Sequence, residues 1–251
     1  MKKLFFLVAS FYFLSALFAF GDEVIIFGNN YKIPKIYNEE NVPKGVLVDI
    51  LKYIDSQLDY NNFHIKLYPW KRAYTYAAEG EGGIIGLSKT EERLKIFDYS
   101  DVVFYDDVII VVLKGNEFPF ETIEDLQGKR IGIGRGGSFG DEFEVGKKSI
   151  FKIIEDDGPV MRLRMLLVKN IDCAFFSPGK ASFLQSINKN EKLLKHADKF
   201  AILPKPFKSD PNYLGFSKKM NMKDFLTRFN MVLNQGYTTG AIQEIINKYK
   251  N

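Results

Sequence analysis

Sulfur and imidazole are scarce in this chain: Cys173 is the lone cysteine, and His64 and His196 are the only histidines. One cysteine makes no intrachain disulfide, and the apolar run Ile171 to Phe176 around it predicts a buried small hydrophobe. Two widely separated histidines supply no metal-ligand spacing, so no metal or other cofactor is expected. Charge of one sign is equally short. Lys and Arg number 35 against 31 Asp and Glu, and basic blocks are no longer than pairs such as Lys147-Lys148 and Lys218-Lys219. That balance excludes the electrostatic footprint of a nucleic-acid partner. Repeats and low-complexity stretches are absent, while 46% hydrophobic and 26% charged residues are ordinary for a globular protein rather than a disordered one.

Long apolar runs are also missing, except at the start. Lys2 and Lys3 precede the run Leu4 to Phe20, broken by Ser10 and Ser15, and Ala19-Phe20-Gly21 then offers small residues at the spacing a signal peptidase needs. The segment reads as a secretory signal peptide cleaved after Gly21, with Ala19 as the alternative site. An uncleaved anchor is the competing reading, since 17 residues sit at the lower edge of spanning length. Cleavage removes two lysines and no acid and leaves a nearly neutral, periplasmic, soluble protein, expected to be a monomer.

What remains alternates short apolar strands with helical periodicity, which is an α/β pattern. Strands are expected at Val24 to Phe27, Ile65 to Tyr68, Gly83 to Leu87, Val108 to Leu113, Arg130 to Ile133, Cys173 to Phe176 and Phe200 to Leu203. Helices are expected near Gly45 to Leu58, Trp70 to Ala78, Ile123 to Leu126, Gly140 to Ile154, Val160 to Val168 and Pro178 to Ser186. Two more follow at the end, where Phe225, Phe229, Val232 and Leu233, then Ile242, Ile245, Ile246 and Tyr249, recur at helical spacing. The extended stretch Asp101 to Val112 and the Pro-set Leu203 to Phe207 read as two crossings between units. They divide the mature chain into one lobe of residues 22–106 and 207–251 and an inserted lobe of 107–206.

Three groups of residues carry candidate chemistry. In Gly86-Leu87-Ser88-Lys89-Thr90-Glu91-Glu92-Arg93 a strand ends in hydroxyls, and Arg93 can fork to a carboxylate at about 1.5–3 kcal/mol per charge-assisted bond. The ordinary alternative is a Ser/Thr helix cap with an exposed arginine. Gly132-Ile133-Gly134-Arg135-Gly136-Gly137-Ser138 spells a dinucleotide fingerprint, but its place in mid-chain of an exported protein argues against that use. What survives is close backbone approach at Gly136, with Ser138 capping a helix or donating to an anion. Tyr31 and Trp70, each after a strand, can wall a ligand, and Asn29 can bond one or form the turn.

These blocks, together with Gly45 to Ile50, Phe97-Asp98-Tyr99-Ser100-Asp101, Gly128 to Ser138, Ile171 to Phe175 and Leu214 to Ser217, resemble the periplasmic solute-binding proteins of polar amino-acid ABC transporters. The resemblance covers nearly the whole mature chain and implies the two-lobed type II periplasmic binding fold, a small-molecule ligand and a membrane permease partner. It implies that Ser88 and Arg93 hold a ligand carboxylate, that Ser138 donates from across the cleft and that Asn29 contacts the ligand. Ser177 falls where the family's acid takes the ligand amine, so the anchor for that amine is missing. Arg135 adds a second positive group, which widens the expectation to organic acids and modified amino acids. Two other readings stay open: an exported enzyme on this scaffold such as a cyclohexadienyl dehydratase, with Glu81 or Asp172 as its acid or base, and a sensing module that docks on a receptor.

Overall fold

The computed structural model describes residues 23–58 and 63–249. The expected signal peptide and its expected cleavage site lie outside the described residues. The apolar stretch Val24 to Phe27 opens strand β1 (Val24–Asn29), and its chain then turns through a small hairpin sheet of β2 (Tyr31–Lys32), β3 (Ile36–Glu39) and β4 (Val42–Lys44). Helix α1 (Val46–Gln57) buries Val46, Leu47, Ile50, Leu51 and Ile54, the one-face spacing of an amphipathic helix. Its preceding residue must be glycine: Gly45 has φ 115°, and a Cβ there would stand 2.6 Å from the Lys35 carbonyl oxygen.

Strand β5 (Phe63–Tyr68), helix α2 (Trp70–Glu79), strand β6 (Gly83–Leu87), helix α3 (Glu91–Ile96) and strand β7 (Phe97–Tyr99) follow. Then β8 (Phe104–Leu113) carries the chain into its second half: β9 (Arg130–Gly134), α4 (Asp141–Ser149), β10 (Lys152–Asp156), α5 (Pro159–Leu167), β11 (Cys173–Phe176), α6 (Gly179–Asn188), α7 (Glu191–Leu194) and β12 (Phe200–Ile202). Strand β13 (Lys208–Ser217) returns, and α8 (Lys223–Thr238) and α9 (Ala241–Asn247) close the chain. The main sheet path runs β10-β9-β11-β8-β13-β6-β1-β5, parallel at β1·β5, β1·β6, β9·β10 and β9·β11 and antiparallel where β8 and β13 take part.

The apolar cores fall into two groups on either side of that antiparallel pair. One gathers Ile26, Leu47, Ile50, Leu214 and Phe229 under α1, α8 and α9, with Phe27, Ala73 and Phe97 packed under α2. The other gathers Ile110, Phe143, Phe175 and Phe207, with Leu163, Phe176 and Phe183 on its opposite face. Cys173 is fully buried in the second group, and desolvation pushes its thiol up to about 12. This is the two-lobed type II periplasmic binding fold, with β8 and β13 as the segments that cross between lobes. Residues 104–108 pair with 208–212 there.

Two expectations are corrected. The helix expected from Gly140 to Ile154 ends at Ser149, because Lys152–Asp156 pairs in parallel with β9 as an edge strand. Two adjacent isoleucines fit the end of a helix as well as a strand, and only the partner decides. The return crossing runs mainly through β13 and not through the Pro-set stretch, which reaches β8 with the Leu203 and Phe207 amides alone among the described residues.

Candidate functional site

The ends of β1 and β6, the hairpin at Tyr31, the β9 turn and the crossing strand β13 converge on one cavity of about 590 Å³ of non-protein space, part of it open to solvent. Of the residues singled out from sequence, Asn29, Tyr31, Trp70, Ser88, Arg135, Ser138 and Ser177 line it. Arg93 and Gly136 do not; they line an adjoining groove that shares Gly137 and Ser138 with the cavity. The buried Arg93 guanidinium donates to the Ser88 carbonyl at 3.2 Å and lies 5.3 Å from the Tyr74 ring centroid and 6.0 Å from that of Trp70. Thr90, the residue next in the motif, caps α3 by accepting from the Arg93 amide. The Ser-x-Thr segment thus contains both readings, a helix cap at Thr90 and a cavity wall at Ser88.

Glycine lets the two halves meet. A Cβ on Gly134 would stand 3.2 Å from Arg162 Nη2 and 3.3 Å from the Tyr31 hydroxyl, one group from each side. Across the cleft, Trp70 Nε1 donates to the Gly136 carbonyl at 3.1 Å, the Glu91 amide to Asp141 Oδ1 at 2.8 Å, and Lys32 Nζ to the Ser177 carbonyl at 2.9 Å.

Charge in the cavity comes mostly from residues that spacing alone did not single out. Lys35 Nζ pairs with Asp106 Oδ2 at 2.6 Å, with both side chains buried, and the Ser177 hydroxyl donates to the same oxygen. The Ser88 hydroxyl donates to Asp210, whose other oxygen faces Lys208 Nζ at 3.5 Å. Burial holds the Asp210 carboxyl above its ordinary range against these bonds. Beneath the floor, Arg162 grips Asp156 with two bonds, 2.7 and 2.9 Å, and donates a third to the Phe175 carbonyl at 2.6 Å. Lys32 has no such carboxylate among the described residues. Burial, reinforced by the Arg162 and Lys35 charges, pushes its ammonium down to about 7. Arg135 stands at the mouth, 47% exposed and paired with Asp157 at 3.0 Å, so its charge is largely answered already.

Lys32 and Lys35 could have been found from the sequence by noticing Tyr31-Lys32-Ile33-Pro34-Lys35 directly after the Asn29 strand end. Asp106 and Asp210 carried no local signal; they meet because β8 and β13 pair in the register Asp106 opposite Asp210. Of the residues weighed for the enzymatic reading, Asp172 bonds Arg130 outside the cavity, and Glu81 lies in the turn after α2.

Two curated proteins show sequence likeness over part of the chain. The L-cystine-binding protein TcyJ of Escherichia coli (strain K12) is 23% identical over 160 residues, 64% of this chain and 56% of that protein. TcyJ of Bacillus subtilis (strain 168) is 25% identical over 116 residues, 45% of this chain and 43% of its own. The match therefore spans about half the length of these relatives. Solved structures share the fold more completely. An ancestral arginine-binding protein bound to arginine matches with TM-score 0.71 and 22% identity, covering 91% of this chain and 98% of that one. A histidine kinase sensor domain with similarity to periplasmic binding proteins matches with TM-score 0.74 and 18% identity, covering 92% and 96%. Residues 24–251 fit the profile of one family, and the protein belongs to the bacterial extracellular solute-binding proteins, family 3.

Proposed function

We propose that this protein is exported, captures a small carboxylate-bearing solute between its lobes and delivers it to the permease of an ABC transporter. The observation that carries this reading is Lys32: of the three cations on the cavity wall, Lys35 is paired with Asp106 and Arg135 with Asp157, while Lys32 has no carboxylate partner among the described residues. A carboxylate that displaces water from such a wall gains charge-assisted bonds of about 1.5–3 kcal/mol each. The curated relatives bind L-cystine and the ancestral protein binds arginine, both of which carry the acid group that this wall would hold. Closure is the mechanism. β8 and β13 act as the hinge, and a ligand that touches both lobes shifts the open and closed populations toward the closed form that a membrane partner reads.

On this reading Trp70 and Tyr31 flank the ligand, and Ser138 approaches it from the second lobe. Ser88 shapes the wall through Asp210, while Arg93 holds the Ser88 backbone and Trp70 in place and faces any part of the ligand that extends into the adjoining groove. Thermal-shift titration with carboxylic acids, amino acids, neutral sugars and cationic amines tests it. Stabilisation by acid-bearing compounds is expected, and stabilisation by sugars or amines alone removes the reading. A receptor-docking sensor is the second reading, favoured by the kinase sensor domain that shares the fold over 92% of the chain. Stimulation of a purified cognate permease–ATPase complex by the loaded protein decides for transport.

A further inference from the structure

The polar groups left open on the cavity wall are specific in kind. Asn29 is 97% buried; its Oδ1 accepts from the Tyr31 amide at 2.9 Å, which turns Nδ2 the other way without a partner in hydrogen-bond range. Lys32 Nζ has the Ser177 carbonyl alone and two further N–H bonds to give. These are donors that call for an acceptor. Asn212, 1% exposed, presents the reverse: Nδ2 donates to the Asp210 carbonyl at 2.8 Å, and Oδ1 is left without a donor. Buried polar atoms are almost always satisfied, so a bound solute should supply an acceptor at Asn29 and Lys32 and a donor at Asn212.

That donor is not an ammonium. Lys35 Cε and Asn212 Oδ1 lie 3.5 and 3.6 Å from the same point, where a Cβ on Gly86 would be. A charged amine on Asn212 would therefore lie on the stretch of wall that the Lys35 side chain crosses, with the unpaired Lys32 lining the same cavity. The nearby carboxylates are already committed: Asp106 Oδ2 to Lys35 and Ser177, Asp210 to Ser88 and Lys208, and Asp156 by both oxygens to Arg162. Asp106 Oδ1 is unpartnered among the described residues, but Asp106 is not among the residues that line the cavity. A second cation in a low-dielectric cleft without a counter-charge is disfavoured.

We infer that the captured solute is an amine-free organic acid, its carboxylate on Lys32 and Asn29 and a neutral donor such as a hydroxyl on Asn212. The inference rests on the capture reading and narrows it from carboxylates in general to hydroxy acids and their like. Calorimetry with matched pairs tests it: L-malate against L-aspartate, L-2-hydroxyglutarate against L-glutamate, and L-lactate against L-alanine. At least one hydroxy acid should bind tenfold or more tightly than its amino partner. Lys32→Met should abolish that binding, and Lys32→Arg, which keeps the charge, should retain most of it. An amino acid that binds as well as or better than its hydroxy partner overturns the inference and leaves capture standing, as does hydroxy-acid binding indifferent to Lys32→Met. No binding by any of the six acids overturns the inference as well, and leaves the capture reading to be decided by its own thermal-shift titration.

Discussion

Lys32 sits within reach of Arg162 and Lys35, with only Asp106 and Asp156 as opposing charges and Tyr31 beside it, and its ammonium is held near 7. Because the folded value lies below the ordinary lysine value, the empty protein carries an electrostatic cost when Lys32 is charged, relieved as pH rises through about 7. An anion reverses that preference by stabilising the charged form. Below pH 7 the site is already charged and binding is full. Above it, binding must recruit a proton, and affinity should fall by up to about tenfold per pH unit. Calorimetric titrations of the best-bound acid at pH 6 and pH 8 check this, and a flat profile in wild type would show that the Lys32 ammonium is not held near 7. Arg162 tests the floor. Its pair with Asp156 is fully buried, so Arg162→Met strands a carboxylate and should cost about 3–5 kcal/mol in denaturant unfolding. The residue scale is also where sequence reasoning reached unevenly. Ser88 was legible as a cavity residue from its place at a strand end, Ser138 from the glycine turn before a helix, and Ser177 only through the family resemblance. Asp106 and Asp210 were not, since only the register of two strands a hundred residues apart brings them together. Arg93 was legible as an arginine near the cleft, but its hold on the Ser88 carbonyl depends on a side-chain path that no spacing specifies.

At the scale of elements, the hairpin from β2 to β4 and the first turn of α1 form one unit that delivers both lysines. Pro34 and Lys35 accept from the Val46 and Leu47 amides at 3.1 and 3.0 Å, so the start of the helix is tied to the loop that aims Lys35. Gly45→Ala breaks that unit twice, by its positive φ and by a 2.6 Å approach to backbone. It should lower the melting temperature by several degrees and weaken acid binding as well, whereas Ile50→Ala, buried in the same helix, should cost about 2–5 kcal/mol by unfolding while sparing affinity in the remaining folded protein. Equal losses of affinity in the two variants would show that the helix, not the loop, aims the lysine. Amphipathic spacing made α1, α2 and α8 readable within a residue or two. The edge strand β10 and the short β7 were hidden, because their partners supply the definition that five or three residues lack.

For the molecule as a whole, the decisive arrangement is a pair of crossing strands with an apolar core on each side and a cavity between. The α/β alternation follows from patterns along the chain, but the contacts that join the lobes across the cleft, Trp70 to Gly136, Lys32 to Ser177 and Glu91 to Asp141, exist only once both halves are folded. The central claim is that a small acid is held by both lobes at once. Hydrogen–deuterium exchange on the wild-type protein, with and without a saturating concentration of its best-bound acid, tests this most directly. The account predicts slowed exchange in residues 29–32 of the first lobe and 134–139 of the second together; slowing in one of these segments alone, or in neither, would contradict it.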